Sequence, residues 1–130
     1  MSLKSWMKEF YPTEAFSKKA LAEPVTHSLR KWKGLTKTNL RKPGLVKNPD
    51  DDFIYKDDNA VLDQRDRFDI DAENCACCMR YDPNNQDCDD CPLMQFHADG
   101  CHSAYIEFTM DSDARPMIRL LEKALKKGFK

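Results

Sequence analysis

Residues 75–101 read CACCMRYDPNNQDCDDCPLMQFHADGC and contain all six cysteines of this 130-residue chain. Cys75 and Cys78 form one Cys-x2-Cys pair, and Cys88 and Cys91 form a second. Zinc ribbons and treble clefs use two such knuckles to hold one ion in a tetrahedral shell of four thiolates. The spacing therefore predicts a metal-stapled lobe whose ligands are these four cysteines.

Other side chains near the two pairs leave the ligand set open. Cys101 is a fifth candidate and can replace Cys88, because the resulting gap between the pairs also suits a metal site. Cys77 has the wrong phase for the first knuckle and is interpreted as a packed free thiol. His97 and His102 are outside candidates, since a histidine beside a cluster more often supports the ligands than binds the ion.

Zinc is the predicted cofactor, with an iron–sulfur cluster as the alternative. Thiolate coordination alone does not define the metal, but ferredoxin-type runs have shorter gaps than the nine-residue gaps of this chain. Four thiolates close the shell and leave no position for an activated water. The sequence also lacks a Walker loop, a Gly-x-Ser-x-Gly elbow and a His-Glu-x2-His helix. These features favour a non-enzymatic protein, with an iron–sulfur or metal-dependent enzyme as the alternative.

The composition gives expectations about compartment. No run of 18 apolar residues is present, and the first six residues lack the apolar core of a signal peptide. We therefore expect a cytoplasmic protein with no membrane partner. Clustered cysteines in a reducing compartment bind metal more often than they form disulfides.

The net charge of −1 conceals three blocks of opposite sign. Residues 1–47 carry a net charge of +8, residues 48–113 carry −14, and residues 114–130 carry +5. The favoured interpretation is self-neutralisation, in which basic helices fold over an acidic metal lobe. The alternative is two separate faces, one for a polyanion and one for a basic partner.

The apolar periodicity predicts an α+β fold in one domain. It comprises a basic helical half (1–47), an acidic, zinc-ribbon-like or treble-clef-like lobe with short strands (48–111), and a closing amphipathic helix (112–128). The predicted helices are 2–10, 12–22, 25–33, 38–41 and 112–128, and the predicted strands are 53–55, 67–71 and 105–108.

Some residues receive individual assignments. Gly34 is expected to end the third helix from outside it, and Thr36 or Thr38 to cap the next turn. The candidate inward side chains of the second helix are Ala15, Phe16 and Ala20.

A second functional hypothesis is nucleic-acid binding by the basic helices. Basic residues surround Trp32, as on a surface that follows phosphates. Trp32 itself has the helical phase of a core residue and is expected to point inward. The candidate contacts are Lys31, Lys33, Lys37, Arg41 and Lys42.

Several short phrases also recur together in a known group. They are FYP at 10–12, HSLRKWKGL at 27–35 with NL at 39–40, CACC at 75–78, and CDDCPL at 88–93. In combination they resemble small, mostly uncharacterised proteins of tailed bacteriophages, over most of the chain. The group often has an apolar residue where this chain has Cys77. The resemblance implies a phage or prophage product in the host cytoplasm and supplies no activity. The favoured function is a zinc-binding interaction or regulatory module for a host or phage protein.

Overall fold

The computed structural model describes residues 3–47, 52–56, 67–71, 74–81 and 90–130, and within these ranges the architecture is α+β. A 3-10 turn, Pro92–Gln95, precedes the last two helices. The helices and strands, in chain order, are α1 (Leu3–Phe10), α2 (Lys18–Ala22), α3 (Pro24–Gly34), α4 (Lys37–Arg41), β1 (Leu45–Lys47), β2 (Phe53–Lys56), β3 (Arg67–Asp69), α5 (Ala76–Tyr81), α6 (His102–Asp111) and α7 (Arg115–Lys127).

The helix α3 lies at the centre of the fold. Its residues Val25, Leu29 and Trp32 are buried, which confirms the helix predicted from their spacing. It packs against α1, α2, α4, α5 and α7. The basic first part of the chain and the cysteine-containing part therefore share one hydrophobic core.

The contact between α1 and α3 depends on a close approach at Gly34. Both helices were predicted, but Gly34 is the last residue of α3 rather than a terminator beyond it, and its φ is not positive. A Cβ here would lie 2.6 Å from the Cβ of Phe10 and closer still to the ring. Trp6 Nε1 donates a hydrogen bond of 2.7 Å to the Gly34 carbonyl. Gly34 therefore permits close packing and does not supply a special turn.

The helix α2 begins later than predicted, because residues 11–17 form a turn. The Ala15 backbone N–H donates to Tyr11 Oη (2.8 Å), and the Ser17 hydroxyl caps α2 by accepting from Ala20 N (3.1 Å). Ala15 and Ala20 are buried as expected. Phe16 is 59% exposed, so its assignment as an inward residue was wrong.

The next helix, α4, leads directly into the sheet. Thr36 caps α4 by accepting a hydrogen bond from Asn39 N (3.4 Å), as one of the two predicted alternatives. After Arg41 the chain turns through Gly44, whose φ of +72° lies in the left-handed region that favours glycine. The turn places β1 against α4.

The sheet is antiparallel, with the order β1-β2-β3. Leu45 pairs with Lys56 across β1 and β2, and Ile54 pairs with Phe68 across β2 and β3. Ile54 and Phe68 are buried. The strands predicted near 53–55 and 67–71 are confirmed as β2 and β3, whereas β1 was not predicted.

The last two helices give one wrong and one correct prediction. Residues 105–108 belong to α6 rather than to a strand, since Ala104 and Phe108 are buried one helical turn apart while Ile106 is 42% exposed. The predicted closing helix is confirmed as α7, and Gly128 ends it with φ of +110°. Asp113 Oδ1 accepts from Arg115 N (3.1 Å), at the predicted start of this helix.

Within the described ranges, the structure has no helix of the length and apolarity that spanning a membrane requires.

Candidate metal centre

A cavity of about 210 Å³ lies between α3, α5, the 3-10 turn, α6 and α7. The residues that α3 contributes to its wall are Ser28, Lys31 and Trp32. The cysteines on the wall are Cys75, Cys77, Cys78, Cys91 and Cys101. Three of the four predicted ligands and the fifth candidate therefore line one cavity, together with Cys77, which was interpreted as a packed free thiol.

Ser28 positions the first cysteines of the cavity. Its hydroxyl lies 3.7 Å from the Cys75 sulfur and donates to the Cys77 sulfur over 3.4 Å. The Cys77 backbone N–H donates back to the same hydroxyl (3.4 Å), which ties the start of α5 to α3. Cys77 is buried, as a packed thiol should be, but it also lines the cavity beside Cys75.

Cys91 and Cys101 each lie directly before a helical segment. Cys91 is buried and directly precedes the 3-10 turn that begins at Pro92, since proline suits the first position of a helical turn. Cys101 directly precedes α6 and is half-buried. Cys88 lies outside the described residues. All five described cysteines lie on or next to helices and none lies on a strand, so the strand-borne knuckles expected of a zinc ribbon do not occur here.

The thiols form a hydrogen-bonded group with unequal acidity. Hydrogen bonds from Cys77 and Cys78, with the nearby charge of Lys31, hold the pKa of Cys75 well below its usual value despite burial. The same bonds to Cys75 raise the pKa values of Cys77 and Cys78. Hydrogen bonding to Cys77 also lowers the pKa of Cys91. Cys75 is thus a thiol prepared to ionise, and a thiolate is the form that binds metal.

Lys31 is completely buried at the edge of this group. Its Nζ donates to the carbonyls of Ile70 and Asn74, each over 3.0 Å. A buried ammonium is costly unless a negative charge or several acceptors compensate it. The position beside Cys75 gives the cation a function in favouring thiolates. Lys31 was among the predicted nucleic-acid contacts, but its side chain is buried here, which helical phase alone does not reveal.

The other predicted nucleic-acid contacts remain on the surface. Lys33, Lys37, Arg41 and Lys42 are exposed, whereas Trp32 is buried as expected. The Trp32 ring packs edge-on against Phe108, with centroids 5.1 Å apart.

The histidines occupy different surroundings. The exposed His97 has its Nδ1 2.6 Å from Asp99 Oδ1, and the exposed His102 lines the cavity beside Cys101. His27 has Nε2 2.7 Å from the Thr13 carbonyl, and burial lowers its pKa below the usual histidine value of about 6.5. Neither outside candidate is joined to the cysteines by a described hydrogen bond.

Across the ranges that the structure describes, no group of three or more His, Cys, Asp and Glu side chains is arranged to hold a metal ion. The cysteines share a cavity, but in this arrangement they hydrogen-bond with one another. Sequence reasoning missed Ser28 and the buried position of Lys31. They lie three residues apart on α3, a spacing that places both on one face, but their polarity indicated a solvent-facing side.

Comparisons with known proteins gave no relatives: no family model, curated protein or solved structure matches this chain.

Proposed function

We propose that this chain is a zinc-binding interaction module that acts in the host cytoplasm and binds a host or phage protein. The observation that carries the metal part is the convergence of five cysteines on one cavity of about 210 Å³. Sulfur donors in an enclosed site suit zinc or an iron–sulfur cluster and do not suit hard cations. The cysteines are interpreted as the staple of the acidic lobe.

The residues present fit such an ion in charge as well as in donor type. Four thiolates around Zn²⁺ carry a net charge of −2, and the buried Lys31 offsets part of it. Cys75 is the described thiol whose pKa is lowered most, so it is the natural first ligand. We propose Cys75, Cys78 and Cys91 as ligands, with Cys88 or Cys101 as the fourth. The bound ion would cross-link α5 to the 3-10 turn, and also to α6 if Cys101 is the fourth ligand, rather than supply chemistry.

The partner-binding part rests on exposed apolar side chains next to this site. Ile106 and Met110 lie one turn apart on α6, the helix that begins directly after Cys101, and are 42% and 75% exposed. Large apolar groups exposed side by side are typical of contact surfaces. A metal that fixes the start of α6 would also fix the orientation of this face.

The metal proposal is tested by elemental analysis and an absorbance spectrum of the purified chain. One zinc per chain without visible colour is the expected result, and Cys91→Ser should lose the ion and lower the melting temperature. Cys77→Ser is the matched control and should keep it. Cys88→Ser and Cys101→Ser decide the fourth ligand, because only the ligand's loss should release zinc. Iron with a broad visible band would instead establish the iron–sulfur alternative, and the absence of any metal would refute both.

The second candidate function is nucleic-acid binding. It is supported by the exposure of Lys33, Lys37, Arg41 and Lys42 around α4 and the end of α3.

A further inference from the structure

Cys75 and Cys78 are neighbouring thiols at the start of α5. Cys75 directly precedes this helix, and its carbonyl accepts a helical hydrogen bond from Met79 N over 3.0 Å. Cys78 therefore lies one turn further along on the same side. The Cys75 sulfur accepts hydrogen bonds from both the backbone N–H and the thiol of Cys78. The two sulfurs are thus adjacent, and each belongs to the wall of the cavity.

The spacing of this pair suits a covalent bond between the two sulfurs. Residues three apart in a helical turn have Cα atoms about 5 Å apart. A disulfide joins residues whose Cα atoms are about 4.4–6.8 Å apart. A disulfide between Cys75 and Cys78 therefore fits the backbone at the start of α5.

The intervening thiol of Cys77 is not equivalent to this pair. Its sulfur accepts a hydrogen bond from the Ser28 hydroxyl over 3.4 Å, and its side chain is only 2% exposed. Cys75 and Cys78 are partly exposed. An attacking thiol has to reach the sulfur of an incoming disulfide, so access favours these two residues over Cys77.

The cavity that the pair lines reaches the protein surface, because the exposed Asp99 and His102 also belong to its wall. Its volume of about 210 Å³ is below the range of about 300–1,000 Å³ that is usual for sites enclosing drug-sized ligands. The space therefore suits the disulfide end of a small molecule.

We infer that Cys75 and Cys78 form a reversible dithiol–disulfide pair that exchanges with small-molecule disulfides of the glutathione class. The exchange uses two thiols that the proposed metal site also uses. It does not itself depend on a metal, whereas its coupling to zinc release rests on the proposed function.

The exchange proceeds in two balanced steps. One thiol of the pair loses its proton and attacks a sulfur of glutathione disulfide, which forms a mixed disulfide and releases one glutathione. The released sulfur takes up a proton. The second thiol of the pair then loses its proton and attacks the protein sulfur of the mixed disulfide, which releases the second glutathione. The protein dithiol is oxidised, and one glutathione disulfide is reduced to two thiols.

Oxidation of the pair would remove two ligands of the proposed zinc site. A sulfur in a disulfide is no longer a thiolate, which is the form that binds metal. Each disulfide formed between Cys75 and Cys78 should therefore release one zinc ion. Bound zinc should in turn slow the oxidation, because it occupies both sulfurs.

The test is oxidation of the purified full chain in glutathione buffers, followed by alkylation of the remaining thiols and mass spectrometry of tryptic peptides. Trypsin cuts after Arg67 and Arg80, so the peptide 68–80 contains three cysteines and the following peptide contains the other three. The expected result is the loss of two alkylated thiols from the peptide 68–80, with its single remaining alkyl group on Cys77.

Serine variants identify the two partners. Cys75→Ser and Cys78→Ser each lack the second step, so the expected product is a mixed disulfide with glutathione instead of an internal disulfide. Cys77→Ser is the matched control and should form the internal disulfide as the wild type does. Circular dichroism checks the fold of each variant, and the peptide map of the wild-type chain decides the question if a variant does not fold.

Two results would refute the pair. One is an oxidised chain in which the peptide 68–80 is linked to the following peptide, as a bridge from Cys77 to Cys91 would produce. The other is an internal disulfide that persists in Cys75→Ser or Cys78→Ser.

Zinc release, measured in the same samples with a chromogenic chelator, separates the exchange from the proposed function. A chain that forms the disulfide but never binds zinc would refute the metal site and leave the exchange intact. A zinc-stripped chain that keeps all three thiols of the peptide 68–80 in excess glutathione disulfide would refute the exchange and leave the metal site intact. Zinc retained by a chain that carries the disulfide would refute the coupling.

Discussion

Replacing Gly34 with alanine tests how α1 and α3 are held together. The new Cβ would lie 2.6 Å from the Cβ of Phe10 and closer to the ring, so a side-chain rotation of Phe10 cannot relieve the contact. The two helices must move apart instead. That movement would also stretch the 2.7 Å hydrogen bond from Trp6 to the Gly34 carbonyl.

The expected cost follows from three terms. Overpacking a tight interface costs about 1–3 kcal/mol, and a lost hydrogen bond costs about 1 kcal/mol. Alanine gains about 1 kcal/mol over glycine within a helix. We therefore expect the free energy of unfolding to fall by about 2 kcal/mol, and the melting temperature to fall by about 8 °C for a chain of this size.

Urea and thermal unfolding measure this change, and two other variants isolate its cause. Gly128→Ala meets no atom within 4 Å and has only its φ of +110° to strain, so it should cost about 1 kcal/mol. In a Phe10→Gly background, Gly34→Ala should be neutral or slightly stabilising, because the blocking atoms are gone. A Gly34→Ala chain as stable as the wild type, or an equal cost in both backgrounds, would refute the close-approach argument.

The remaining predictions concern pH and partner binding. Burial lowers the folded-state pKa of His27 below 6.5, so the unfolded chain binds the proton more readily. The contribution of His27 to stability is thus present above about pH 6.5 and lost below it, and unfolding free energy should fall between about pH 7.5 and 5.5 by less in His27→Gln than in wild type. Equal falls would contradict this assignment. Met110→Lys should abolish capture of a host or phage protein by the immobilised chain, whereas Phe16→Lys, on the turn before α2, should not. Loss in both variants, or in neither, would exclude the α6 face.

Much of the fold could be predicted where apolar spacing determines one buried face. The stripes of α1, α3 and α7 each gave a helix that the structure contains, since a periodic stripe has only one way to become buried. The strand β2 followed from its β-branched and aromatic residues, and β3 from the alternation of polar and apolar residues over 67–71. In these segments, local pattern and tertiary packing agree.

The sequence was less informative in segments whose short apolar pattern fits more than one secondary structure, because tertiary contacts determine which one forms. Residues 105–108 alternate as a strand does, yet Phe108 packs on Trp32 when the segment is helical. Phe16 had helical phase, but the hydrogen bond from Ala15 to Tyr11 Oη replaces the helix by a turn. An apolar pattern of only three or four residues fits the period of a strand as well as that of a helix. Contacts with residues distant in the chain therefore determine which structure forms.

The candidate metal centre was likewise predictable only in part. Clustering of the cysteines predicted that several would share a site, and five of them line one cavity. The placement of Cys75, Cys77 and Cys78 at the start of α5 could not be predicted, because Cys-x2-Cys spacing suits a helical turn as well as a hairpin. The buried Lys31 could not be recognised either, since its acceptors are backbone carbonyls more than 35 residues away.

The central position of α3 has a consequence for synthesis on the ribosome. Ser28 lies 47 residues before Cys75 in the chain, and Lys31 lies 43 residues before Asn74, whose carbonyl accepts its hydrogen bond. Trp32 is covered only after α6 has been made. The first helices therefore emerge with their most apolar face unprotected, and the cavity closes only after α6 and α7 have been made. Until then the cysteine thiols stay accessible to solvent, and under the proposed zinc-binding function this is the stage at which the ion would bind.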